Sequence, residues 1–181
     1  MKSACALLAS SLLFAACTTA PAPEPAAPAA TGPAAKPYGN LAQMMRAIPF
    51  PASNIIFAAQ NEDPSAKKPE AAGADRYANM YGGWEAVENA GIALSETANL
   101  LMIPGRKCMN GKDAPLDRED YKKAIQQLAD AGEAALKAAQ SKNLDAIVEV
   151  SGTVAEACSA CHDVYREKDD PNDRCTPPAA K

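Results

Sequence analysis

Residues 156–167 read "EACSACHDVYRE", and this stretch decides how the rest of the chain is interpreted. It contains Cys158, Cys161 and His162, and His162 is the only histidine of the 181-residue chain. On an α-helix, residues three and four positions apart lie on the same face. The two thiols and the imidazole are therefore expected to project from one side of a helix near the carboxyl end.

The C-x-x-C-H spacing is the attachment motif for c-type haem. In such a site Cys158 and Cys161 form thioethers with the porphyrin, and His162 binds the iron from the same side. A structural zinc site would need four ligands, and beyond the N-terminal region only Cys108 and Cys175 remain. A thioredoxin-like redox pair would need a βαβ setting, which the pattern does not supply. The motif therefore predicts one covalently bound haem c.

The N-terminus predicts an exported protein. Residues 1–16 place Lys2 before a short apolar segment, which is typical of a signal peptide and too short for a transmembrane helix. The ending "LFAAC" resembles a bacterial lipobox and predicts cleavage before a lipidated Cys17, with ordinary cleavage near Ala16 as the alternative. The Ala- and Pro-rich residues 17–37 predict an extended tether. We expect a periplasmic protein whose membrane contact comes only from this anchor.

Residues 38–181 are long enough for a single domain with one core. The whole chain has a formal charge of −4, and loss of Lys2 with the signal leaves 17 basic against 22 acidic residues, or −5. A mildly acidic chain without a basic cluster is a poor candidate for binding nucleic acid or an anionic lipid surface. Protein partners are the expected ones.

Apolar residues recur at spacings of three and four, which predicts helices and no strands. The predicted helices cover residues 38–48, extended by residues 52–60, then 75–102, a third from Asp117 and a fourth from Asn143. Pro49 and Pro51 are expected to end the first helix, and Asp75 is the expected N-cap of the second. Four helices with short connections predict an all-α, antiparallel four-helix bundle.

One side of each long helix is rich in apolar and small residues, which predicts its buried face. The predicted stripes are Tyr77, Tyr81, Trp84, Val87, Gly91, Leu94, Ala98 and Leu101; Tyr121, Ile125, Leu128, Gly132, Ala135 and Ala139; and Leu144, Val148, Ser151, Val154, Cys158, Cys161 and Tyr165. Because the chain has only three Phe, five Tyr and one Trp, its core buries little area per residue. A bulky group is expected to fill its middle.

Together these features resemble the class II cytochromes c, the cytochrome c′ group and its low-spin relatives. The resemblance rests on "CSACHDVYR" late in the chain, on a methionine-bearing first helix and on four helices, and it spans about residues 41–166. It implies a bundle with haem on the last helix, with Arg166 near the proximal haem face. Some members dimerise, so a homodimer is an open possibility. The insert at residues 48–75 is longer than the usual first connection in that group.

The second axial ligand cannot be a histidine of the same chain, because His162 is the only one. Low-spin members of the family take a methionine from the first helix, where Met44 and Met45 both lie. These two point about 100° apart on a helix, so at most one can meet the iron. Leu41, Met45 and Ile48 share a stripe, which favours Met45, with Met44 as the alternative. Methionine is also common core filler, and cytochrome c′ members leave this side open, so a five-coordinate iron is the other interpretation.

Cys108 and Cys175 are the cysteines that neither the signal nor the motif uses. In an oxidising periplasm such a pair usually forms a disulfide, and in the predicted bundle both residues can lie at the same end. The bond would close a loop of about 67 residues and stabilise the domain by about 4 kcal/mol. Two free thiols are the alternative.

Charged residues near the motif give weaker indications. Arg46 and Arg106 could contact the haem propionates, although solvated surface positions are the more common role of arginine. Glu167, Asp169 and Asp170 are interpreted as solvent-facing, or as part of a docking rim for a basic partner.

The predicted function is electron transfer by a periplasmic mono-haem cytochrome, in which the haem iron exchanges single electrons with redox partner proteins. No catalytic residues accompany the haem, because a peroxidase would use a distal histidine and none is left. A five-coordinate module that binds NO or CO is the alternative function. A structural subunit of a larger respiratory complex is a third, weaker interpretation.

Overall fold

The computed structural model describes residues 34–66 and 81–176. Its helices are α1 Leu41–Ala47, α2 Pro49–Ala58, α3 Gly83–Leu101, α4 Glu119–Ser141 and α5 Leu144–Tyr165, followed by a 3-10 turn at Pro171–Asp173. Within these two ranges there is no strand, and the isolated bridge between Lys107 and Asp113 is the only extended pairing. The predicted all-α class is confirmed.

The first position of the bundle is filled by two consecutive helices. Asn40 caps α1 in a reciprocal capping box, since its Oδ1 accepts from the Gln43 N–H at 2.9 Å and its own N–H donates to Gln43 Oε1 at 2.9 Å. The chain breaks at Ile48, and Pro49 then begins α2. A proline is tolerated in the first turn of a helix because no intrahelical acceptor needs its missing N–H. Pro49 therefore ends one helix and starts the next.

Helix α3 begins later than the sequence predicts. Tyr81 lies in a turn, Gly82 is extended and Gly83 opens the helix with φ +65°. A Cβ at Gly83 would lie 2.8 Å from the Pro64 carbonyl oxygen, so both the conformation and the space require glycine. Tyr81 is 63% exposed, not part of the buried stripe. The predicted cap Asp75 and Tyr77 lie outside the described residues, as do residues 1–33 with the predicted signal, Cys17 and most of the tether.

Helices α2 to α5 pack in a ring: α2 contacts α3 and α5, α3 contacts α4, and α4 contacts α5. Neighbouring long helices are antiparallel. Ser95 of α3 donates to the Ala129 carbonyl of α4, and Tyr121 near the start of α4 packs on Tyr165 at the end of α5. The helical bundle predicted from the sequence is therefore present.

Glycines allow α3 and α4 to cross closely. A Cβ on Gly91 would lie 2.6 Å from the Leu136 backbone nitrogen, and one on Gly132 would lie 2.6 Å from the Ser95 backbone nitrogen. All six residues of the predicted α4 stripe are buried. In α5, however, the predicted Leu144 and Val148 are 39% and 47% exposed, and the buried side passes instead through Ile147, Val150, Ser151 and Val154. Successive residues of a helix point about 100° apart. The buried side of α5 is therefore rotated by about one residue from the predicted stripe in the first half of the helix, which leaves Leu144 and Val148 exposed.

The connection between α3 and α4 is held to the N-terminal segment. Leu41 N–H donates to the Lys107 carbonyl at 2.8 Å. Arg106 is 3% exposed and donates to the carbonyl oxygens of Gly39 and Leu100 at 2.8 and 2.7 Å. The expectation that Arg106 is a solvated surface residue is therefore wrong: it fixes the start of α1 beside the end of α3. Of the helices in the described residues, none is both long and apolar enough to cross a membrane.

Candidate haem site

Helix α5 presents the motif residues to one cavity. Asn143 caps the helix, its Oδ1 accepting from the N–H groups of Asp145 and Ala146. Cys158, Cys161 and His162 follow 15 to 19 residues after Asn143. Each is partly buried and lines a cavity of about 390 Å³. Both cysteines are free thiols. Two thiols and an imidazole therefore face a shared space, as the spacing predicts.

Helices α1 and α2 form another wall of the same cavity. Met45 lines it together with Leu41, Pro49 and Phe50. Met44 packs against the hydrophobic core and does not line the cavity. Position thus separates the two methionines that the sequence leaves as candidates, and Met45 is the one that shares the cavity with His162.

The wall between the motif and the core is apolar. Leu101, Ala124, Ile125, Leu128 and Ala157 come from α3, α4 and α5 and line the cavity between the motif and the core. Such side chains leave room for a flat apolar ring. The cavity is thus a gap in the alanine-rich core at the place where the sequence predicts that a bulky group fills it.

Burial shapes the protonation of the motif. Desolvation raises the pKa of the Cys158 thiol and raises that of Cys161 to about 11. It lowers the pKa of His162, and the nearby Arg166 guanidinium lowers it further. Nη1 of Arg166 lies 3.2 Å from Nδ1 of His162. Uncharged thiols and an uncharged imidazole are favoured at this wall, and an uncharged imidazole is the form that binds a metal.

A hydrogen-bonded network fixes the end of α5. Tyr165, 4% exposed, donates to Asp120 Oδ1 at 2.7 Å and accepts from Arg118 Nε at 3.1 Å. Arg118 Nη2 also pairs with Asp120 Oδ2 at 2.8 Å. The Arg118 hydrogen bond holds the pKa of Asp120 near 2, and burial raises that of Tyr165 to about 12. The ring of Tyr165 meets Tyr121 edge-on at 5.5 Å. These contacts position the helical turn that carries His162 against the start of α4.

A sequence model of the family described as Cytochrome C' matches residues 116–166, which run from just before α4 to just after α5. The match includes the whole motif and the Tyr165 network. Over this region the chain is similar to the Cytochrome C' family. No curated protein and no solved structure shows significant similarity to it.

The residues at this cavity fit the haem c that similarity to the Cytochrome C' family indicates. Cys158 and Cys161 would hold the porphyrin edge and His162 the iron, with apolar side chains of α3 and α4 beside them. Within residues 34–66 and 81–176, no three Cys, His, Asp or Glu side chains are grouped so that they could hold a metal ion on their own. The donor set therefore suits an iron that brings its own macrocycle better than a bare ion.

Three arginines lie around this cavity: Arg46, Arg166 and Arg174. No carboxylate side chain of the described chain lines it. Arg46, a candidate for a propionate contact from the sequence, lines the cavity. Arg106, the other candidate, is buried away from it. Arg174 was not singled out from the sequence. Its position next to Cys175 is the signal that could have found it, because a bond to Cys108 would fold this segment back onto the bundle.

The structure joins Cys108 and Cys175 as a disulfide, with Cα atoms 6.1 Å apart. Both residues are buried and both line the cavity. The bond connects the loop after α3 to the segment after α5. Glu167, Asp169 and Asp170 of that segment are exposed, in keeping with the solvent-facing interpretation.

Proposed function

We propose that this protein is a periplasmic mono-haem c-type cytochrome that transfers single electrons between redox partner proteins. The observation that carries the proposal is Met45, whose side chain lines the same cavity as Cys158, Cys161 and His162. A thioether ligand makes a haem low-spin and raises its potential, which suits electron transfer. Met44 does not line that cavity, which supports Met45 over Met44 as the ligand.

Bound haem c supplies an iron that changes between Fe(III) and Fe(II). The chain's part is to bind and shield it. Cys158 and Cys161 would hold the porphyrin through their sulfurs, and His162 and Met45 would supply a ring nitrogen and a thioether sulfur to the iron. Leu101, Leu128 and their neighbours would exclude water from the bound ring, and a low-dielectric site of this kind tunes the potential.

A haem module that binds NO or CO is the competing function. It needs an iron whose distal side is open, with only an apolar side chain beside it. Met45 on the cavity wall supports electron transfer over this alternative, because a thioether within reach would compete with a weakly held gas.

Optical spectra of the holoprotein test the function directly. The protein would be exported together with haem-attachment machinery and recorded in oxidised and reduced forms. We expect a low-spin spectrum with the weak long-wavelength charge-transfer band of methionine bound to Fe(III), and no new species under CO. A high-spin spectrum that shifts when CO is added would instead support gas binding.

We also propose that lipidated Cys17 anchors the protein to a membrane, with residues 18–37 as the tether. Cys17→Ser should move the protein from the membrane fraction to the soluble periplasmic fraction and remove acyl groups from its N-terminal peptide. Equal partition of the variant and the parent would count against the anchor without touching the haem proposal. Pairing with a basic redox partner and a homodimeric state stay predictions.

A further inference from the structure

The segment after α5 folds back over the cavity and is fixed at several points. Cys175 N–H donates to the Tyr165 carbonyl at 2.6 Å. Asn110 Nδ2 donates to the carbonyl oxygens of Asn172 and Arg174 at 2.7 and 2.9 Å, and the disulfide holds Cys175. The backbone on both sides of Arg174 is therefore held in place. This segment lies beyond the residues 116–166 that match the family.

Arg174 brings an unmatched cation to the cavity. Its side chain lines the cavity, and its Nε is buried without a hydrogen-bond partner. No ion pair or side-chain hydrogen bond of its guanidinium exists among the described residues. A buried charged donor left without a partner costs free energy. Arg46 lines the same cavity, again without an ion pair in the described chain, so the cavity offers positive charge and no carboxylate to neutralise it.

We propose that Arg174, held in place by the Cys108–Cys175 disulfide and Asn110, binds a carboxylate of the haem. The inference rests on the proposed function, because an anionic amphiphile with an apolar ring is the ligand that such a cavity fits. A guanidinium matches a carboxylate with two parallel N–H donors. The disulfide thereby becomes part of the haem site, since it fixes the residue that pairs with the ligand.

A cation at this place has two measurable effects. It favours the reduced iron, whose net charge is less positive, and so raises the reduction potential. It also lowers the pKa of the haem carboxylate, so the pH-dependent step of the potential moves to lower pH. A residue that only supports the local backbone would produce neither effect.

The test compares Arg174→Gln with Lys168→Gln in the holoprotein. Both remove one positive charge from the same segment, but Lys168 does not line the cavity. At fixed solution potential, Arg174→Gln should lower the ratio of reduced to oxidised haem by about tenfold, equivalent to about 59 mV for a one-electron couple. Its pH-dependent step should move to higher pH, and Arg174→Lys should restore most of the potential. Lys168→Gln should change both quantities little.

Equal effects of Arg174→Gln and Lys168→Gln in proteins with intact covalent haem would overturn the role of Arg174 alone. Absence of covalent haem in the parent protein would instead remove the proposed function. The double variant Cys108→Ser/Cys175→Ser tests the disulfide's part. We expect it to lower the potential, and Arg174→Gln should then add little, because the two changes act through one contact. A full additional effect would show that the bond does not hold Arg174 in place.

Discussion

Two walls of the candidate haem cavity are built in different ways. The α5 wall takes Cys158, Cys161 and His162 from five consecutive residues of a 22-residue helix that has six buried residues. Another wall takes Met45 from α1, a helix of seven residues none of which is buried. Spacing along a single helix fixes the first wall, whereas the second depends on what holds α1 in place.

Contacts with the α3–α4 loop hold the α1 wall. Leu41 bonds to Lys107, and Arg106 bonds to Gly39. Short helices gain little stability from their own backbone bonds, so tertiary contacts of this kind decide where Met45 lies. The family match likewise covers α4 and α5 and does not extend to α1. The α5 wall is thus expected to govern haem attachment, and the α1 wall to govern the state of the iron.

The largest effect is expected on the α5 wall. Cys158→Ser together with Cys161→Ser removes both thiols that could form thioethers, so no haem should stay on the denatured polypeptide. Cys108→Ser/Cys175→Ser also replaces two cysteines, those of the disulfide, and should keep covalent haem. Mass spectrometry of the peptide that spans residues 158–162 measures the outcome. Covalent haem on the first variant would contradict the claim that the α5 wall governs haem attachment.

A smaller effect, confined to the iron, is expected on the α1 wall. Met45→Leu keeps the side-chain volume and should abolish the methionine charge-transfer band and lower the reduction potential, while covalent haem stays. Met44→Leu is the matched control, since Met44 does not line the cavity, and it should leave both unchanged. Loss of the band in Met44→Leu, with Met45→Leu like the parent, would assign the two methionines the other way round.

The long helices that support the α5 wall should be sensitive to backbone spacing. A Cβ at Gly132 would meet backbone atoms of α3, including Ser95 N at 2.6 Å, whereas one at Gly152 of α5 would meet nothing within 4 Å. Gly132→Ala should therefore destabilise the domain by about 1–3 kcal/mol. Gly152→Ala should stabilise it by about 0.4–1 kcal/mol. Denaturant unfolding of the holoproteins gives both values, and equal stability of the two variants would contradict the close crossing.

The sequence alone predicted the α5 wall, because the residues of the C-x-x-C-H motif are neighbours on a single helix. A three- and four-residue spacing puts Cys158, Cys161 and His162 on one face whatever surrounds the helix. The sequence alone did not predict that α3 begins at Gly83. The conformation there depends on the adjacent glycines Gly82 and Gly83 and on the close approach of the Pro64 carbonyl. Nor did the sequence predict that Arg174 lines the cavity, because its position depends on a disulfide and on Asn110, 64 residues earlier in the chain.

The smallest effect, a pH dependence of stability, is expected from the hydrogen-bonded network of Arg118, Asp120 and Tyr165 that joins α4 to α5. Asp120 has its pKa lowered from 3.8 to about 2, chiefly by its hydrogen bond to Arg118. A carboxyl whose pKa is lowered by folding stabilises the protein above the pKa of its unfolded state, and this contribution is lost as the pH falls toward the folded value. Asp120→Asn should therefore be less stable than the parent near neutral pH, and the difference should shrink between about pH 4 and about pH 2.

Asp169→Asn is the matched control, since Asp169 is exposed and has no hydrogen bond or ion pair within the described chain. It should follow the parent at every pH. Denaturation midpoints of the parent and the two variants across this range, all measured in the same haem-loaded or haem-free form, distinguish these outcomes. A constant gap between Asp120→Asn and the parent down to the lowest pH would mean that Asp120 positions Tyr165 by shape and not by charge.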